Sequence, residues 1–152
     1  MEDDEAEDVR KLLAYPDDSA GGIMTTEYVA VRPDLTAQQA ISVLRKTAHE
    51  AETIFYVYVT DEKLRLVGVF SLQDLVLAQP ETPVTGFMHH RVVSVSLRDS
   101  QDKVAQVVAK YDLLAVPVVD DQGRLHGIVT AADALDKIIP TAWKKRLPRM
   151  YR

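Results

Sequence analysis

Gly68-Val-Phe-Ser71-Leu-Gln-Asp74 and Gly127-Ile-Val-Thr130-Ala-Ala-Asp133 share one pattern, 59 residues apart: a glycine, two apolar residues, a hydroxyl-bearing residue and an aspartate three positions later. Working upstream at the same offset, Asp61 matches Asp120 and Val59 matches Val118. Nearer the N-terminus the offset becomes 64, pairing Met24 with Met88, Val29 with Val93, Val31 with Val95 and Thr36 with Ser100. The change of five places an insertion in the first copy, around Thr47 to Thr53. One structural unit has therefore been written twice.

Both copies carry the same local signals. A short strand (Tyr28 to Val31, Val92 to Val95) leads into a helix, opened in the first copy by Thr36 and Gln39 at capping-box spacing. Ala37, Ala40, Ile41, Leu44 and Ala48 form its apolar face, and Val104, Val107, Val108 and Tyr111 form the other. Two β-rich runs follow in each copy, Ile54 to Val59 with Leu66 to Phe70, and Ala115 to Val119 with Leu125 to Val129. Turns at Asp61 to Arg65 and Asp120 to Arg124 separate them, and closing helices begin near Leu72 and Ala131. The expected organisation is an acidic N-terminal segment with a linker helix (1–23), a β-α-β-β-α repeat (24–79), a linker (80–87), a second repeat (88–139) and a basic tail (140–152). A unit with so few strands cannot cover both faces of its sheet. The two copies should pack about a pseudo-twofold axis as an α+β fold with a cleft between them, a preferred place for ligands.

The paired heptapeptides resemble the Gly-apolar-x-Ser/Thr-x-x-Asp signature of CBS repeats. At such a motif Ser71 and Thr130 sit beside free N–H groups of a helix N-terminus, which suit a phosphate, while Asp74 and Asp133 can accept hydrogen bonds from ribose hydroxyls. The same spacing also suits plain helix capping.

A narrower resemblance runs from about Leu12 to Asp136. Leu13-Ala-Tyr-Pro-Asp-Asp-Ser-Ala-Gly-Gly-Ile-Met24, Ala51-Glu-Thr-Ile-Phe-Tyr-Val-Tyr-Val59 and Lys110-Tyr-Asp-Leu-Leu-Ala-Val-Pro-Val-Val-Asp120 are similar to the cytosolic region of MgtE-type magnesium transporters. The resemblance implies a regulatory module that dimerises, binds Mg2+ to close a pore, and in some members binds ATP. It also implies Tyr56, Ser71 and Asp74 as nucleotide-binding positions, with Thr130 and Asp133 their second-repeat counterparts. Asp102, Asp112, Asp133 and Asp136 are the carboxylates in family-like metal positions. This sequence departs from the pattern at Gln73 and Leu113, where ATP-binding members carry Arg and Phe, and after Asp136, where an acidic continuation gives way to a stretch containing Pro140, Lys144 and Lys145.

Charge and composition bound the partners. A net charge of −5 argues against nucleic acid as a partner, since phosphate-backbone binding needs surplus Lys and Arg. No apolar stretch is long enough to cross a bilayer, no leader pattern follows Met1, and the sequence has no Cys. The expectation is a cytoplasmic chain, at the inner face of the membrane if it belongs to a transporter. It reads equally as an excised fragment beside a membrane or other effector domain and as the end of a soluble protein. Its four His, including His89 and His90, read as surface residues, and no catalytic constellation is recognisable. The competing functions are thus a sensor of Mg2+ and adenine nucleotide, working as a homodimer, and a ligand-free dimerisation module.

Overall fold

The computed structural model describes residues 15–47 and 56–135. The first repeat comprises β1 (Ala30–Val31), α2 (Ala37–Thr47), β2 (Tyr56–Thr60), β3 (Leu66–Ser71) and α3 (Leu72–Leu77), preceded by a single turn, α1 (Ala20–Ile23). The second comprises β4 (Val95–Ser96), α4 (Gln101–Lys110), β5 (Ala115–Val119), β6 (Leu125–Thr130) and α5 (Ala131–Ala134). Each repeat forms a three-stranded sheet, ordered β1-β2-β3 and β4-β5-β6, in which the first pair is parallel and the second antiparallel. The register slips at Val59/Thr60 in one sheet and at Val118/Val119 in the other, the same position at the offset of 59.

The α+β duplication expected from the sequence is therefore present, with corrections at its edges. The leading strands are shorter than the runs starting at Tyr28 and Val92, because only their last residues reach the neighbouring strand. Tyr111 does not join the buried face of α4; the helix stops at Lys110 and Tyr111, its C-cap, is 49% exposed. The segment assigned as a linker contributes to the first core: Val84 is fully buried, and the Phe87 ring meets Phe70 edge-on with centroids 5.1 Å apart. The insertion, Ala48 and the two tails lie outside the described residues, apart from Thr47 at the end of α2.

The repeats are exchanged at their openings. Met24 packs in the second repeat's core with Val104, Val116 and Val129, while Met88 packs in the first with Val57, Phe70 and Leu75. The adjoining backbones follow suit: Thr25 pairs with Ile128 on β6, and His89 pairs with Val69 on β3. This exchange explains the motif glycines. A Cβ on Gly68 would overlap the Met88 thioether, and one on Gly127 would lie 2.7 Å from the Met24 Sδ and 2.7 Å from the Thr25 carbonyl oxygen. Between the sheets lie Tyr58, Ala115, Leu125 and Ile128, flanked by Tyr28, Tyr56 and Val69. At the far end the turns join reciprocally, Leu66 N–H donating to Gly123 C=O at 2.9 Å and Leu125 N–H to Leu64 C=O at 2.9 Å.

Candidate ligand cleft between the repeats

The exchanged opening of the second repeat borders a cavity of about 200 Å³. Its floor is β2 and β3 of the first repeat (Tyr56, Tyr58, Val69), and its opposite wall is Leu113, Ala115 and Pro117 of the second. The segment His89 to Val93 closes one side, bringing His89 and Arg91 to an otherwise largely apolar lining. The Tyr56 hydroxyl is tied down by accepting the Leu114 N–H at 3.3 Å. Tyr58 is buried, and its hydroxyl has no hydrogen-bond partner among the described residues. Burial, with a smaller contribution from Tyr56, pushes that hydroxyl's pKa well above the ordinary tyrosine value. A buried hydroxyl without a partner is costly, and a ligand atom able to pair with it would remove the cost.

Of the expected nucleotide residues, Tyr56 lines this cavity. Ser71 and Asp74 do not line it; they form a reciprocal capping box at the start of α3, in which the Asp74 N–H donates to Ser71 Oγ at 3.1 Å and the Ser71 N–H donates to Asp74 Oδ2 at 3.0 Å. Asp74 reaches the cavity through His89, whose Nε2 lies 3.1 Å from the same Oδ2. Partial burial pushes the Asp74 carboxyl up, but hydrogen bonds from the Ser71 backbone and side chain and from His89, and the charge of His89, outweigh it and hold the group below its usual range. His89 is the functional residue that the sequence did not signal. A reading confined to local strand geometry puts neighbouring His89 and His90 on opposite faces and says nothing of a carboxylate fifteen positions back.

Thr130 and Asp133 repeat half of this arrangement. The Asp133 N–H donates to Thr130 Oγ1 at 3.3 Å, but the Asp133 carboxylate receives no hydrogen bond from the described residues. The related position to His89 is Thr25, whose hydroxyl accepts the Glu27 N–H at 3.1 Å. Where Val92 borders the first cleft, the matching Tyr28 sets its ring edge-on to Tyr58, with centroids 6.2 Å apart.

The metal expectation is only partly located. Asp102 lies in the first turn of α4, Asp133 in the first turn of α5 and Asp112 just beyond α4 in a left-handed conformation (φ 52°), while Asp136 is outside the described residues. All three described carboxylates are exposed, and among the described residues no three Asp, Glu or His side chains are grouped to hold a metal ion.

A profile of the CBS domain matches residues 20–81 and 84–140. The chain belongs to the CBS-domain family. Within that family it is 50% identical over 129 residues to the magnesium transporter MgtE of Thermus thermophilus, covering 85% of this chain and 29% of that one. MgtE of Enterococcus faecalis is 46% identical over 135 residues, covering 89% of this chain and 30% of its relative. The chain thus spans about a third of the length of these curated relatives. Among solved structures, the cytosolic domain of the Mg2+ channel MgtE in complex with ATP superposes with a TM-score of 0.84 at 50% identity, over 86% of this chain and 53% of that one. The two CBS repeats and their mixed sheets therefore follow the fold of an MgtE cytosolic domain. Among the described residues no helix is long and apolar enough to cross a membrane.

Proposed function

We propose that this chain is the ligand-sensing regulatory CBS pair of an MgtE-like magnesium transporter, acting at the cytoplasmic side of the membrane and performing no catalysis. The observation that carries this is the inter-repeat cavity itself. It has an aromatic floor, an unpaired buried hydroxyl and a link to Asp74, in a fold whose 50%-identical solved relative holds ATP. An adenine nucleotide in this cleft would set its base against Tyr56. Its ribose would reach Asp74, whose Oδ1, unlike Oδ2, has no hydrogen bond to a described residue. Because the cavity is walled by both repeats, such a ligand binds one packing of them better than another, and that difference in affinity is the signal it can deliver.

Mg2+ is the second proposed ligand. Asp102, Asp112, Asp133 and Asp136 would serve as solvated sites of millimolar strength, about 4 kcal/mol each, since this ion keeps most of its water and needs few protein oxygens. The proposed partners are a second copy of the chain and the transporter's membrane domain. Val76 and Leu77 on α3, exposed to 77% and 74%, supply apolar surface for a homodimer.

One observation favours a ligand-free dimerisation module instead: the Ser71 hydroxyl is used in capping α3. Equilibrium dialysis with ATP, ADP and Mg2+ separates the two. Retention of nucleotide that is abolished in Asp74→Ala and largely kept in Asp133→Ala supports the sensor; no retention at millimolar nucleotide supports the structural module. Sedimentation showing only a monomer at micromolar concentration would remove the dimer from either account.

A further inference from the structure

Resting on the nucleotide reading, we propose that His89 and Arg91 form an anion-recognising lip on the first cleft, so that it selects phosphorylated ligands and binds them more tightly as His89 gains a proton. Both residues line the cavity and come from the opening segment of the second repeat. The remaining lining is aromatic or aliphatic, which suits a flat ring, and the neutral Tyr58 hydroxyl brings no positive charge to a negative group. Gln73 on α3 contributes no charge. The cation that a phosphate needs thus comes from across the repeat interface.

Comparison of the two repeats strengthens the assignment. At the offset of 64, His89 and Arg91 correspond to Thr25 and Glu27. One opening segment carries a histidine and a cation, and its counterpart carries a neutral hydroxyl and a carboxylate. An anion is attracted to the first cleft and repelled from the equivalent position of the second.

The geometry of His89 links binding to pH. Its Nε2 is held by Asp74 Oδ2, and its Nδ1 has no partner among the described residues. A neutral imidazole donating from Nε2 can only accept at Nδ1 and so faces an anion with a lone pair. The protonated ring donates from both nitrogens, to Asp74 on one side and to the ligand's phosphate on the other. The other titratable or charged groups around it are Asp74 on α3, Tyr56 and Tyr58 on β2, and Arg91 on its own segment; Leu113, Ala115 and Pro117 carry no charge.

Titration of the full chain with ATP, AMP and adenosine at constant ionic strength, near pH 6 and near pH 8, tests this. ATP should bind more tightly than adenosine, and His89→Gln should weaken ATP roughly 5-fold near pH 6 and adenosine by less, since adenosine shares only the Asp74 contact that His89 holds in place. The ATP phosphates themselves titrate in this range, so the diagnostic quantity is the pH slope of wild type minus that of His89→Gln. Arg91→Glu, which copies Glu27 from the opening segment of the first repeat, should erase the preference for ATP at both pH values. Equal affinity for ATP and adenosine in wild type, or an unchanged slope in His89→Gln, overturns the lip while leaving the nucleotide cleft intact. Failure of all three ligands to bind overturns the nucleotide reading and this inference with it.

Discussion

The two repeats share a backbone plan and differ in what they place at equivalent positions. Beside the first motif, the opening of the second repeat leaves room with Val92 and brings His89 to the Asp74 carboxylate. At the second motif, the opening of the first repeat sets the matching Tyr28 against Tyr58, and the Asp133 carboxylate has no hydrogen bond from the described residues. Their turns diverge in the other direction. Asp61 and Asp120 each accept two backbone N–H groups and an Arg Nε–H, but Asp120 also meets His126 Nε2 at 2.9 Å, where the first repeat has Val67. Duplication kept the scaffold; the first copy holds the polar connection at the cleft and the second holds the extra one at its turn.

Exchanging these differences between repeats tests whether they matter. The largest effect is expected of Val92→Tyr, which puts a ring like that of Tyr28 into a cavity of about 200 Å³. Calorimetry should then find no measurable ATP binding, with a denaturation midpoint close to wild type. Next comes Gly127→Ala against Gly68→Ala. The first meets the Thr25 backbone as well as Met24, while the three atoms nearest the second all belong to the pliable Met88 side chain. Urea denaturation should show losses of about 3 and about 1 kcal/mol respectively. Equal losses would mean that the Thr25 strand yields as easily as a thioether.

Asp120→Ala should cost about 2 kcal/mol through its unpaired donors, and more than Asp61→Ala. Burial pushes the Asp120 carboxyl up, but hydrogen bonds from His126, Arg124 and Gln122 outweigh it and leave it far below its ordinary value. The folded state therefore binds this proton less readily than the unfolded chain. Its stabilisation is complete above the ordinary carboxylate value of about 4 and fades as pH falls toward the depressed one. Wild type should lose stability across that acidic range more steeply than Asp120→Ala, as denaturation midpoints at successive pH values would reveal. The smallest effect belongs to the turn tips. Leu64 holds φ 65° and is 58% exposed, where its counterpart Gly123 holds φ 79°. Leu64→Gly should raise stability by about 0.5 kcal/mol, relief of the left-handed strain exceeding the added chain entropy.

Much of this was legible in the sequence because it is local or periodic. The repeat, the helix faces of Ala37, Ala40 and Leu44 and of Val104 and Val108, and the capping reading of Ser71 and Thr130 each depend on residues within one turn or at a fixed offset. What escaped depends on exchange between the copies. A repeat alignment pairs Met24 with Met88 but cannot say that each sits in the other's core, so the boundaries at 24 and 88 divide units whose packing crosses them. His89 escaped for the same reason, since its partner Asp74 belongs to the preceding repeat.

That exchange also limits how the molecule can move. Each methionine is seated over a motif glycine of the opposite sheet, Met24 on Gly127 and Met88 on Gly68. Sliding one half past the other would drag two thioethers across two bare backbone notches at once, so the two contacts yield together or not at all. A half cut away at the junction would leave behind a notch with nothing to fill it.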